Sequence, residues 1–404
     1  MKKVVLLSFA LLTIAQSQAQ KKTAEVDSKY RRSSLYKIMI NDDSRPYAKV
    51  IKSAFVNGPD QDKFNNHNLG IRTIPATADK DESANITTFL ENNNIARDVV
   101  AKWFDRSPKG GFDMELIKSR GSYDATVLDI AKAKSSKRGL DMLADAGEDL
   151  IKNTFILVND FKYVSKEEVA KKAGGIMKGL GSIGAAAGVS GSSSIANASS
   201  EAVNVAGKGY VVKTTAHLYR LVWNEETAAI FYNDFWADDK TITPERKKAF
   251  EDSKIFKFEY IGSDVSWADV QSSSFSKKTN EELIERATNK AIDAVIVKLQ
   301  KEHDEFKTKT PLFSGEPITA KIGLKEGITE DSKFDVMEQQ QDADGKTKYV
   351  SVGTVKVDSK FPIWDNRYGA ADENPDTTTD KTYFKKVSGK EFFPGMLIVQ
   401  KKGK

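Results

Sequence analysis

The chain has 404 residues, of which 39% are hydrophobic and 29% are charged, a composition typical of a soluble globular protein. Its net charge of +5 comes from 62 basic and 57 acidic residues, an excess too small to indicate a nucleic-acid-binding protein. It contains no cysteine, which excludes disulfide bonds, thiol nucleophiles and thiolate metal sites. A chain of this length is expected to form two or three domains.

The first residues, 1–19, have the pattern of an export signal. Two lysines precede an apolar run from Val4 to Ala15, and Ser17-Gln18-Ala19 is a small-x-small cleavage sequence. The run of about twelve residues is shorter than the roughly 20 that a membrane-spanning helix needs. We therefore expect cleavage after Ala19, export to the periplasm or the outer-membrane region, and no transmembrane span.

Residues 20–307 predict a domain of the α+β class, in which helices accompany a largely antiparallel sheet. Strands and helices are interleaved there without a regular βαβ alternation, which disfavours a doubly wound sheet. A short helix or strand is expected at Tyr47–Phe55. Strands are expected at Ser34–Ile40, Thr154–Val164, Tyr210–Trp223 and Ala228–Trp236, and from Ile255 onward.

Helices are expected where apolar residues recur at helical spacing. Asn94 is a suitable N-cap for a helix with Ile95, Val99 and Trp103 on one face. Two further helical regions are expected at 113–133 and 139–153. Residues 173–209 are nearly all Gly, Ala and Ser, a composition that predicts a loop or linker inserted in this domain.

A longer helix is predicted after Thr279. Glu282 follows three residues later, which is the capping-box arrangement at a helix N-terminus. The expected buried stripe consists of Ile284, Ala287, Ala291, Val295 and Leu299.

Residues 308–404 predict a separate, small all-β domain. Pro311 and Pro317 mark the junction, and residues 342–345 predict a hairpin turn. Five short strands without a helix are typical of an SH3-like barrel. These strands are expected at 318–322, 333–340, 348–357, 383–387 and 396–400.

Three segments of this domain carry a family pattern: GLKEGITEDSKFDVMEQ, DGKTKYVSVGTVKV and FFPGMLIVQ. Together they resemble the carboxy-terminal barrel of a flagellar-assembly protein family, although Met396 stands where that family usually has an acidic residue. The resemblance implies an envelope-associated interaction module. The AQSQAQ ending of the leader resembles the secretion signals of Bacteroidota proteins. The matching barrel positions are Gly323, Gly327, Phe334, Val336, Gly345, Gly353, Gly395 and Val399.

Motifs for cofactor or metal chemistry lack the required context. Residues 179–184 match G-x-G-x-x-G, but a charged, helix-like segment precedes them where a dinucleotide site needs a strand. The histidines His67, His217 and His303 do not have the spacing of a zinc site, and His217 is expected to be a packed residue of a strand. We therefore expect neither a cofactor nor a metal, and no enzymatic activity.

Two alternative functions stay open at this point. The acidic residues Asp234, Asp238 and Asp239 lie near Trp236, a combination that would suit a carboxylate-dependent hydrolase. The other alternative is a secreted protein that binds a small ligand or a glycan.

The loop from Phe361 to Tyr368 supplies the candidate partner contacts. It carries Trp364, Arg367 and Tyr368, which are residue types enriched at binding hot spots. The alternative is a loop that folds back over the end of the barrel. The sequence thus predicts a non-enzymatic structural or interaction protein of the cell envelope with an envelope protein as partner, while peripheral membrane attachment stays open.

Overall fold

The computed structural model describes residues 33–61, 63–77, 82–124, 147, 150–165, 210–269, 279–341, 347–373 and 379–401. Four predicted features lie outside these residues: the leader 1–19, the segment 173–209, the glycine motif 179–184 and the turn 342–345. Of the helical regions expected at 113–133 and 139–153, residues 125–133, 139–146, 148 and 149 also lie outside them, whereas a helix is present within the described residues 113–124.

A mixed sheet forms the base of the first domain. Its strands are β1 Ser33–Asn41, β2 Phe64–Asn65, β3 Thr73–Pro75, β4 Thr154–Ser165, β5 Tyr210–Leu221 and β6 Phe258–Asp269. Strand β1 is parallel to β2, β3 and β4, whereas β4, β5 and β6 are antiparallel neighbours. The strands predicted at Ser34–Ile40 and Thr154–Val164 and from Tyr210 are confirmed.

Helices cover both faces of this sheet. They are α1 Ala48–Asn57, α2 Glu82–Asn92, α3 Ile95–Trp103, α4 Glu115–Asp124, α5 Glu225–Ile230, α6 Pro244–Asp252 and α7 Asn280–Glu302. Side chains alternate along β1, so Ile38 packs in the core under α2 and α3, while Met39 packs in the core under α1 and α7. Among the described residues, no helix is long and apolar enough to cross a membrane.

Helix α7 follows its prediction closely. The Glu282 backbone N–H donates to Thr279 Oγ1 over 3.2 Å, and the Thr279 N–H donates to Glu282 Oε2 over 2.6 Å, which completes the capping box. Every residue of the expected stripe is buried: Ile284, Ala287, Ala291, Val295 and Leu299.

The strand predicted at Ala228–Trp236 is wrong. The Asn224 side chain accepts a hydrogen bond of 2.8 Å from the Thr227 N–H and begins α5, which continues into a π-helical turn at Phe231–Phe235. Asn94 lies at the N-cap position of α3, as predicted, and that helix is confirmed with the expected buried face. Asn94 has a φ of 52° and makes no side-chain capping bond.

A closed antiparallel barrel follows α7. Its strands are β7 Lys309–Gly315, β8 Ile318–Ala320, β9 Lys333–Gln341, β10 Thr347–Val357, β11 Thr382–Gly389 and β12 Leu397–Gln400. The barrel closes in the order β10-β11-β8-β7-β12-β9 around a core that includes Phe334 and Ile398. The α+β class followed by a small all-β barrel is therefore confirmed.

The barrel has one strand more than the five expected. The additional strand is β7, and it contains Pro311, which had been predicted to mark a junction. Pro311 is opposite Leu397, and the next residue, Leu312, donates its N–H to Met396 O over 2.8 Å. The missing N–H of proline is therefore not needed by the ladder at this place. A short helix, α8 Ala370–Glu373, lies between β10 and β11.

Candidate functional site

The strand directions give the barrel two ends. The near end consists of the described residues 321–332, 358–373 and 379–381, which lie between β8 and β9 and between β10 and β11. The far end consists of residues 315–317 and 390–396, which connect β7 to β8 and β11 to β12. The near end lies against α7, where a Cβ on Gly327 would overlap the Val297 side chain.

The predicted contact residues Trp364 and Tyr368 lie at the near end, and both are half-buried. The Tyr368 hydroxyl donates to Glu285 Oε1 of α7 over 2.8 Å. Burial, together with that hydrogen bond, raises the pKa of Tyr368 to about 12. The ammonium of Lys63 lies 5.6 Å from the centroid of the Trp364 ring, so a residue of the first domain covers it.

The third predicted residue, Arg367, forms a bidentate ion pair within the same loop. Its Nε and Nη2 atoms donate to the two carboxylate oxygens of Asp365 over 2.9 and 2.8 Å, and these bonds hold the pKa of Asp365 below its usual range. Asn366 donates to Glu326 Oε2 over 2.9 Å. The loop thus folds back on the barrel and α7, and the partner-contact role of the three side chains stays a prediction.

The far end is organised by two adjacent phenylalanines. Phe392 is buried and fills the end of the barrel, where a Cβ on Gly353 would lie 2.6 Å from Phe392 Cζ. Phe393 begins a tight turn that the Met396 N–H closes on Phe393 O over 3.2 Å, with Gly395 at a φ of 88°. This turn leaves the Phe393 side chain 50% exposed.

Further exposed groups precede this turn in the chain. Val387, near the end of β11, is 55% exposed, and Lys385, Lys386 and Lys390 are exposed as well. We call Val387, Phe393 and these three lysines the far-end surface. Sequence reasoning missed it, although the Phe-Phe-Pro-Gly run holds a usable signal, because only one of two adjacent aromatic residues can point into the barrel.

Of the three acidic residues near Trp236, Asp234 lies in the π-helical turn Phe231–Phe235, and Asp238 and Asp239 accept hydrogen bonds from neighbouring groups. Asp238 Oδ1 accepts hydrogen bonds from the Lys240 and Thr241 backbones over 3.0 and 2.8 Å and from the Thr241 hydroxyl over 2.7 Å. These bonds, led by the hydroxyl, lower the pKa of Asp238. Asp239 accepts from the Ser107 hydroxyl over 2.5 Å.

The histidines occupy packed positions. His217 is 6% exposed, and its Nε2 lies 2.9 Å from Glu82 Oε2. The His67 ring lies 4.8 Å from the Trp103 ring, and its burial lowers its pKa to about 4. Within the part of the chain that the structure describes, no cluster of three His, Cys, Asp or Glu side chains is placed to hold a metal ion.

The first domain carries a groove of about 280 Å³ between α2, α3 and the segment before β6. Buried apolar side chains, Leu90, Phe256 and Phe258, form its floor. Its rim is polar and includes Asn94 and Lys254, whose ammonium donates to the Asn94 side chain.

No known protein-family model matches this chain, and a search of curated proteins finds no significant similarity. Its function must therefore be argued from its own residues.

Proposed function

We propose that this chain is a non-enzymatic interaction protein of the cell envelope, exported to the periplasm or the outer-membrane region. In this proposal the α+β domain supports the barrel, and the far-end surface docks an envelope protein. The export pattern of residues 1–19 supports the location.

The observation that carries the proposal is the exposure of two large apolar side chains at the barrel's far end. Phe393 and Val387 are 50% and 55% exposed, although the chain buries Phe392 beside them. Apolar side chains held in water by a tight turn and a strand end, with charged groups around them, are typical of a docking surface.

Contacts at the near end support the proposal that the first domain holds the barrel while the far end docks the partner. Tyr368 contacts Glu285, and Lys63 lies over Trp364, so the near-end loop attaches the barrel to the first domain. The far end is thereby the part of the barrel that points away from this attachment and is open to a partner.

The proposal is tested by expressing the whole chain with its leader in a bacterium with two membranes and fractionating the cells. We expect the mature protein to have lost residues 1–19 and to sediment with the envelope. The double variant Phe393→Ser/Val387→Ser should lower the retained fraction by about tenfold, the loss typical of a hot-spot pair.

Matched controls exist in the same chain. Phe361 is 44% exposed at the near end, and Val56 is 37% exposed on α1. The double variant Phe361→Ser/Val56→Ser should keep the wild-type retention. An unprocessed leader would contradict export, and equal retention of both double variants would contradict docking by the far end.

The groove of the first domain favours a second candidate function, the binding of a neutral glycan. Its volume of about 280 Å³ and its apolar floor with a polar rim suit one sugar ring.

Thr87 lines the groove and Thr88 does not. Thr87→Trp should fill the groove and abolish the saturation-transfer NMR signals of a neutral oligosaccharide, whereas the control Thr88→Trp should retain them. If the wild-type protein gives no such signals, this function is excluded.

A further inference from the structure

A small cleft separates the first domain from the near end of the barrel. The neighbourhood of β2 contributes Gln61 and Lys63, α7 contributes Gln300, and the barrel contributes Thr308 and Lys325. The cleft measures about 30 Å³, which leaves room for a water-sized group such as one oxyanion oxygen. Because residues of both domains line it, a ligand bound there would contact both.

The lining of this cleft is predominantly positive. Among the described residues, four lysines, Lys63, Lys307, Lys309 and Lys325, line it together with two carboxylates, Asp293 and Glu326. Buried Lys37 is close enough for Lys325 to contribute to the lowering of its pKa, which burial dominates. A concave site with an excess of positive charge in its lining attracts ligands of the opposite sign.

Both carboxylates of the lining accept hydrogen bonds from neutral groups. Asp293 accepts from the Gln61 side-chain amide over 3.0 Å. Glu326 accepts from the Gly323 N–H over 2.7 Å and from the Asn366 side chain over 2.9 Å. Lys307 pairs with Asp304 over 2.9 Å, so the four described lysines still outnumber these three carboxylates.

Two buried polar atoms of the lining have no hydrogen-bond partner among the described residues. They are Gln300 Oε1 and Thr308 Oγ1, on side chains that are 6% and 3% exposed. Buried polar atoms are nearly always hydrogen-bonded, so an unpartnered pair at one cavity indicates a missing partner. The threonine hydroxyl can donate to an oxyanion, and the glutamine carbonyl can accept a proton from a hydroxyl group.

We propose that this cleft binds a phosphate group, either as the free ion or as a monoester, between the α+β domain and the barrel. A hydrogen-phosphate group combines negative oxygens for the lysines with a P–OH donor for Gln300 Oε1. One oxygen occupies the volume of the cleft, and the remaining oxygens lie toward the lysines. The inference goes beyond the docking function and does not depend on the far-end surface.

A phosphate bound to both domains stabilises the folded chain, because it binds the native state alone. The test titrates the whole mature chain with inorganic phosphate and with glycerol phosphate, against sodium chloride of equal ionic strength. Calorimetry and the thermal unfolding midpoint report binding. We expect either phosphate compound to raise the midpoint above the chloride control, and tighter binding of the ester would assign the monoester as the ligand.

Variants locate the binding site. Lys63→Gln and Lys325→Gln should each raise the dissociation constant about fivefold, the loss expected for one charge-assisted hydrogen bond. The control is Lys248→Gln on α6, whose ammonium pairs with Asp252 and lies outside the cleft. A midpoint that phosphate and chloride change equally would overturn the proposal, as would cleft variants that bind phosphate as tightly as the control.

Discussion

The two ends of the barrel make opposite use of aromatic side chains. At the near end Trp364 and Tyr368 are half-buried and contact groups of the first domain, whereas at the far end Phe393 remains 50% exposed. Residue type predicted a binding role for Trp364 and Tyr368 and none for Phe393. The course of the chain around an aromatic residue therefore decides whether that residue contributes to the fold or is available to a partner.

The largest effect is expected from the adjacent pair at the far end. Phe392→Ala should lower the free energy of unfolding by about 4 kcal/mol, because it empties the buried end of the barrel. Phe393→Ala should change it by about 0.5 kcal/mol or less, since half of that side chain is already in water. Urea denaturation of both variants measures the contrast, and equal losses would show that both rings belong to the core.

The second prediction concerns Lys37 of β1, which is buried and donates to Pro59 O over 2.8 Å. Burial lowers its pKa from 10.5 to about 8, so between these values the unfolded chain binds more protons than the folded chain. The stability of the wild type should therefore gain about 3 kcal/mol over Lys37→Met as the pH rises through this window.

Unfolding of both proteins at pH 7 and near pH 10.5 measures this gain, and the comparison cancels the titration of other groups. A difference between wild type and variant that does not change with pH would mean that water reaches Lys37 in the folded chain.

A third prediction tests the attachment of the near end. Tyr368→Phe should lower stability by about 1 kcal/mol, because it removes the hydrogen bond to Glu285. Glu285→Gln combined with Tyr368→Phe should cost less than the sum of the single changes. Additive losses in this double-mutant cycle would indicate that the two side chains act independently.

The smallest change in stability is expected at the exposed aliphatic residue of the far end. Val387→Thr keeps the β-branched shape at a site that is 55% exposed, so its unfolding free energy should stay within about 0.5 kcal/mol of wild type. Its envelope retention should nevertheless fall, which separates docking from folding. Unchanged retention would remove Val387 from the docking surface.

The sequence was most informative where local rules act alone. The capping box of Thr279 and the apolar stripe of α7 predicted that helix correctly, because both signals lie within its own residues. The segment at Ala228–Trp236 was mispredicted because its aromatic residues resemble a strand, whereas the Asn224 cap begins a helix before them. Strand β7 was missed because Pro311 is tolerated only through its place opposite Leu397, which the barrel closure determines.

The candidate sites depended on contacts that sequence patterns do not reveal. Trp364 and Tyr368 were found as binding-type residues, but their neighbours Lys63 and Glu285 lie far away in the chain. Likewise, Gln300 and Thr308 meet the lysines of the cleft only after the barrel has folded onto α7. Exposure and long-range contacts are properties of the folded chain, so the division between the two ends had to come from the structure.

The central claim is that the far end of the barrel docks an envelope protein, and site-specific photo-crosslinking in cells tests it most directly. A photoreactive residue replaces Phe393 in one protein and Phe361, 44% exposed at the near end, in another. The account predicts one specific protein adduct at position 393 and none at position 361. Adducts of equal yield at both positions, or no protein adduct at position 393, would contradict it.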